Sequence, residues 1–301
     1  MILRLPASLL QRFEALYRDL SDPGGDRRID FSRPRGEPAL LPPRSVSWRV
    51  FKNPITVFIG GVTAVILELA EPAVRTGVWE HSRFREDPVG RLRHTGAAAM
   101  ITVYGARSVA EPMIETVAHM HARVSGVTPC GIRFSATDPG LLTWVHATAS
   151  YGFAAAYGEY ARALGKPELD AFFEEGVATA RLYGADRPPR SQQELQELLA
   201  SMKARLQGST IVFEFLDILR DAPILPRPLL GVQRMLVRAA VDLVPTWVRV
   251  RLGLDPSHGL GPLEKRMVQM LAALIDRIVL PASPPAQSCL RLGLPATYLY
   301  G

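Results

Sequence analysis

Cysteine is almost missing from this sequence. Only Cys130 and Cys289 occur, so neither a disulfide framework nor a cysteine-rich zinc or iron–sulfur site is indicated. There is no C-x-x-C-H run, which rules out covalent attachment of a c-type haem. Long apolar runs are missing too. The most apolar stretch, ITVFIGGVTAVILELAEPAV from Ile55 to Val74, carries Glu68 and Glu71 and meets Pro72. Its uncharged part stops short of the ~20 residues a membrane span needs, and it reads as a buried core helix. The N-terminal MILRLPASLLQRFEALYRDL is interrupted by charge too early for an export signal; it reads as an amphipathic helix. The expectation is a cytoplasmic protein without signal peptide or transmembrane span. The net charge is +6 but no block of like charge stands in the chain, so nucleic acid is not expected as a partner. Strand-like alternation and internal repeats are lacking as well.

What is present is helical punctuation. Asn53-Pro54 supplies an N-cap and a first-turn proline for the buried helix. Asp87-Pro88 opens a helix closed at Gly105. Ser108-x-x-Glu111 has the form of a capping box for the next, which stops near Gly126. Asp138-Pro139 starts a fourth helix running to Gly165, and Pro167 restarts one to about Tyr183. Ser191-x-x-Glu194 caps another after the RPPR linker. Further helices are predicted at 209–221, at 227–252 with a kink at Pro245, and at 262–280. The reading is all-α: an N-terminal helix and irregular arm (1–47), a multi-helix globular domain (48–280) and an irregular tail (281–301).

Six histidines are available: His81, His94, His119, His121, His146 and His258. On the third helix of the domain, Met113, Ile114, Val117 and Val124 form the apolar face, with His121 in its middle and His119 on the polar side. His146 shares an inward face with Leu142, Ser150, Phe153 and Tyr157. Each inward imidazole is either a neutral core histidine bonded to a carbonyl or hydroxyl, or a metal ligand with the other in support. Carboxylates do not share these faces, and no Glu-x-x-His pair marks a di-iron site. A single buried imidazole suits haem better, because the porphyrin brings four of the ligands. On the preceding helix Arg91, Thr95, Ala98 and Thr102 lie together, with His94 and Ala99 at the edge. The run Gly96–Ala99 makes that helix thin, which suits either close helix packing or a flat cofactor with Arg91 and Thr95 as polar handles.

The order of EPAVRTGVWEHSRFREDPVGRLRHT, the Tyr104-Gly105 pair, HMHARVSG and SATDPGLLTWVHAT resembles the family of haem-dependent oxygenases that contains MpaB and the rubber oxygenases. The match covers roughly residues 45 to 185 and continues weakly to about 255. The resemblance implies a globin-like helical core holding haem b, with His121 as the proximal iron ligand. It implies that Arg91 and Thr95 line the distal pocket and that His146 is needed for haem retention. His94 stands where the rubber oxygenases have a lysine that can cap the iron. Ser125 stands where they have an arginine, so identical substrate handling is not implied. They are also secreted.

The leading reading is therefore an oxidoreductase that uses haem iron and dioxygen on a small hydrophobic, isoprenoid-like substrate, by oxygenation or oxidative C=C cleavage. A pocket acid belongs with it, and Glu80, Glu86 and Glu68 are the candidates. Two alternatives stay open: a haem-binding or sensing protein without turnover, and a metal-free helical protein with structural histidines. The segment from Pro226, with Arg227, Arg234, Arg238, Arg249 and Arg251 beside an apolar side, reads either as a core-covering element with solvated arginines or as a peripheral membrane contact. The sequence leaves the oligomeric state open.

Overall fold

The computed structural model describes residues 2, 3, 6–21 and 29–300. Helices α1 (Ala7–Ser21), α2 (Val46–Phe51), α3 (Pro54–Ala70), α4 (Pro72–His81), α5 (Pro88–Tyr104) and α6 (Arg107–His121) lead into a hairpin of β1 (Ser125–Val127) and β2 (Arg133–Ser135). The helices α7 (Pro139–Ala156), α8 (Lys166–Leu182), α9 (Gln192–Met202), α10 (Thr210–Asp221), α11 (Leu230–Leu243), α12 (Thr246–Leu252), α13 (Pro262–Ile275) and α14 (Pro284–Arg291) complete the fold. The expected all-α class holds, apart from the short hairpin.

Helix α3 is the axis. Asn53 caps it by accepting from Ile55 N and Thr56 N, with Pro54 in its first turn. Its residues Ile59, Val62, Ile66, Leu67, Leu69 and Ala70 are buried in the larger core, because helices pack on several of its sides. The closest approach is to α7. A Cβ on Gly60 would lie 2.7 Å from the Gly152 carbonyl oxygen and 2.8 Å from Phe153 Cα, so only glycine at both positions lets the backbones meet. Thr63 Oγ1 reaches the Ala240 carbonyl on α11 at 3.0 Å. No single helix among the described residues is long and apolar enough to cross a membrane. Only α3 and α4 together reach that length, and that pair is bent by 112°.

Several local expectations are corrected. Pro72 does not merely end α3: Glu71 accepts from Val74 N and starts α4. Ser108 is no N-cap. It lies inside α6, where its N–H and hydroxyl are both held by Glu37 at 2.6 and 2.9 Å; a distant carboxylate outcompetes the local box. The chain after α6 forms a hairpin, pairing Gly126 with Phe134. Its period was hidden because only three residues per strand pair. The tail, expected to be irregular, carries α14. There the buried Arg291 donates to the carbonyls of Phe31, Glu37 and Tyr104 at 2.9, 2.9 and 2.7 Å. Residues 22–28 of the expected N-terminal arm lie outside the described residues.

The basic side of α11 and α12 is engaged by the protein itself. Arg234 meets Asp221 at 3.3 Å, Arg238 meets Glu264 at 2.7 Å, and Arg249 meets Asp242 at 3.4 Å. Arg251 donates to the Leu206 carbonyl at 3.1 Å. These four arginines therefore have partners within the fold, while Arg227 is exposed.

Candidate cofactor-binding site

The candidate residues stand on four helices, and the Arg91 charge links those on α3, α5 and α6. His121 ends α6, and its exposed neighbour His119 points away, as the helix geometry required. His121 is half-buried, and among the described residues neither ring nitrogen has a hydrogen-bond partner; Nδ1 is buried with none. Burial first, and the Arg91 guanidinium second, hold its pKa below the ordinary value. It is therefore a neutral imidazole free to use a lone pair.

Arg91, one turn into α5, lies between α6 and α3. Its charge is felt by His121 on one side and by Glu68 on the other. The three candidate acids differ in their surroundings. Glu80 is exposed, and Glu86 is exposed and paired with Arg83 at 3.6 Å. Glu68 sits on α3, and burial pushes its pKa up to about 7, against the opposing pull of Arg91 and the Thr148 hydroxyl. It nevertheless keeps some accessible surface. Glu68 is thus strongly desolvated without being fully sealed from solvent. A charge inside an otherwise apolar helix was the sequence signal for it.

On α5 the face expected to turn inward is open. Arg91, His94 and Thr95 are exposed, and Gly96 to Ala99 are half-buried. A Cβ on Gly96 would meet nothing within 4 Å, whereas Ala99 at the end of the thin stretch packs against the core. Thr95 Oγ1 donates to the Arg91 carbonyl at 2.9 Å. His94 turns Nδ1 to the Gly90 carbonyl at 2.7 Å, the arrangement that puts the proton on Nδ1 and leaves Nε2 as acceptor. Near the other end of α5, Thr102 Oγ1 meets the Tyr183 hydroxyl at 2.8 Å, and that phenol also reaches Met113 Sδ at 4.0 Å. Tyr183 thus pins α5 and α6 to the end of α8, a role the sequence did not reveal.

His146 on α7 is half-buried, 3.3 Å from Ser150 Oγ, and a Cβ on Gly176 of α8 would touch its ring at 3.3 Å. Burial pushes its pKa down to about 4, so it is neutral at ordinary pH. Among the described residues no group of three or more His, Cys, Asp or Glu could hold a metal ion by itself. A free imidazole, a flanking cation and an open small-residue face fit a group that brings its own equatorial ligands. A small cavity of about 10 Å³, lined by Phe13, Lys52 and Tyr300 among others, lies at the opposite end of α3 and has room for one water at most.

Residues 48–277 match the family described as ER-bound oxygenase mpaB/B'/rubber oxygenase, catalytic domain. The chain belongs to that family. No curated protein and no solved structure matches it. Within this oxygenase family, then, Glu68, Arg91, Thr95 and His121 all fall inside the matched residues.

Proposed function

We propose that this MpaB/rubber oxygenase family member is a haem b-dependent oxygenase acting on a small hydrophobic substrate, with residues 48–280 as the functional unit. The observation that carries the reading is His121: a neutral, half-buried imidazole with neither nitrogen bonded among the described residues, within reach of the Arg91 charge. In this reading His121 would hold the haem iron, and His146 would support retention of the group from α7. Haem, when bound, supplies the dioxygen chemistry.

The chain supplies the rest. Arg91 offers a fixed cation to negative charge that develops beside it. Glu68, with a pKa near 7, can hold a proton on its carboxyl or release it at neutral pH. The Thr95 hydroxyl has its proton committed to the Arg91 carbonyl, so it presents acceptor lone pairs. The substrate is apolar and isoprenoid-like, oxygenated or cleaved at a C=C bond. Exposed apolar side chains next to the site favour this: Met120 beside His121, and Val127 and Ile132 on the hairpin that follows it.

Titration with haem followed by absorption spectroscopy tests the reading. The wild type and His119→Ala should develop a Soret band and keep it through gel filtration, while His121→Ala should lose it. Full retention by His121→Ala would sink the assignment. A second reading, a haem-binding or sensing protein without turnover, is favoured by His94, whose Nε2 would be free to hold the iron as well. Analysis of products from squalene under dioxygen separates the two: new oxygenated or shortened products support the oxygenase.

A further inference from the structure

The α13 helix buries one side and leaves the other without a partner. Val268 and Ala272 face the core, while Leu263 is 75%, Met267 56%, Met270 73% and Leu274 47% exposed. Their spacing of four, three and four residues lines them up in one stripe along the helix. Together they present on the order of 500 Å² of apolar surface, the size of the largest patch on an ordinary monomer and often a functional one.

The charges around the stripe say what would cover it. Arg266 on α13 and Arg277 just beyond its end are exposed, and among the described residues neither forms an ion pair or side-chain hydrogen bond. The carboxylates of this region are spent elsewhere: Glu264 holds Arg238, Asp276 holds Lys52, and Glu159 holds Lys265. The face is thus apolar with free positive charge and no negative charge. A second copy of the same face would bring like charges together. It would also bury only ~1,000 Å² in total, below the ~1,200–2,000 Å² of a stable interface. An anionic lipid surface meets both needs, taking the Leu and Met side chains below its headgroups and the arginines among them.

We propose that α13 is a peripheral membrane-docking face for anionic lipid. It lies beside the N-terminal end of α3, where Asn53 Nδ2 donates to the Ala272 carbonyl at 2.9 Å. Glu68 lies about 20 Å further along α3. Docking therefore leaves the candidate cofactor site uncovered, and it does not depend on haem being bound.

Co-sedimentation of the full chain with vesicles tests this, using phosphatidylcholine alone or with one third phosphatidylserine, at low and high salt. The wild type should sediment with the anionic vesicles at low salt and dissociate at high salt. Arg266→Gln with Arg277→Gln should weaken partition about 25-fold, at about fivefold per arginine. Met267→Gln with Met270→Gln should weaken it about tenfold or more. Arg234→Gln, which alters a paired arginine on α11, should leave it unchanged. These positions are exposed, so the variants fold. Equal sedimentation of the methionine variant and the wild type, or no sedimentation under any condition, overturns the proposal. So does a dimer seen by light scattering without vesicles and abolished by the methionine substitutions, which would assign the face to a second copy.

Discussion

Glu68 and His146 set opposing pH dependences of stability, and single substitutions should unmask each one. The Glu68 carboxyl rises from its ordinary 4.5 to about 7 on folding, so the folded chain binds that proton more tightly than the unfolded chain. Its contribution is fully present below pH 4.5 and is lost as pH rises to about 7. At 1.36 kcal/mol per pH unit, the charged form costs folding about 3 kcal/mol above that point. His146 runs the other way, falling from 6.5 to about 4. Its contribution is fully present above pH 6.5 and is lost as pH drops to about 4, again by about 3 kcal/mol. Between these limits the two largely cancel in the wild type, and His121, also lowered, adds to the histidine side. Denaturant unfolding of the apoprotein at a series of pH values reads this out. Glu68→Gln should match the wild type near pH 4.5 and gain about 3 kcal/mol by pH 8. His146→Gln should gain relative to the wild type as pH falls from 6.5 to 4, whatever its absolute stability. Curves for wild type and Glu68→Gln that run parallel across this range would refute the burial of that carboxyl.

The remaining predictions concern α5 and the helix crossing. In the haem-loaded protein His94→Ala should change a six-coordinate, low-spin ferric spectrum to a high-spin one; identical spectra would leave His94 as a surface histidine tied to Gly90. Gly152→Ala drives a methyl into the Gly60 carbonyl, a backbone atom that cannot rotate away, so unfolding should show a loss of about 3 kcal/mol together with weaker haem retention. Gly96→Ala meets nothing within 4 Å and should stabilise the apoprotein helix by about 0.5–1 kcal/mol, yet weaken haem binding if the open face of α5 holds the cofactor. Haem binding unaffected by Gly96→Ala would argue that the group lies elsewhere.

Much of the helical layout was legible in the chain because its signals are local. Asn53-Pro54, Asp87-Pro88 and Asp138-Pro139 each cap the helix they open, through side-chain bonds to N–H groups two or three residues on. The sorting of His121 from His119 followed from helix geometry alone. The family was legible too, since its motifs are short and ordered along the sequence. What the sequence could not decide depended on groups far apart in the chain. Ser108 looked like a cap until Glu37 took its hydroxyl, and the tail looked irregular until Arg291 found three carbonyls. The partners of the α11 and α12 arginines, Asp221, Asp242 and Glu264, could not be read from the chain either. Glu68 feels Thr148 and Arg91 only because the α3–α7 crossing and the turn into α5 bring them beside it. A carboxyl's pKa and an arginine's freedom are set by what lies within a few ångströms in space, and only the tertiary structure decides that.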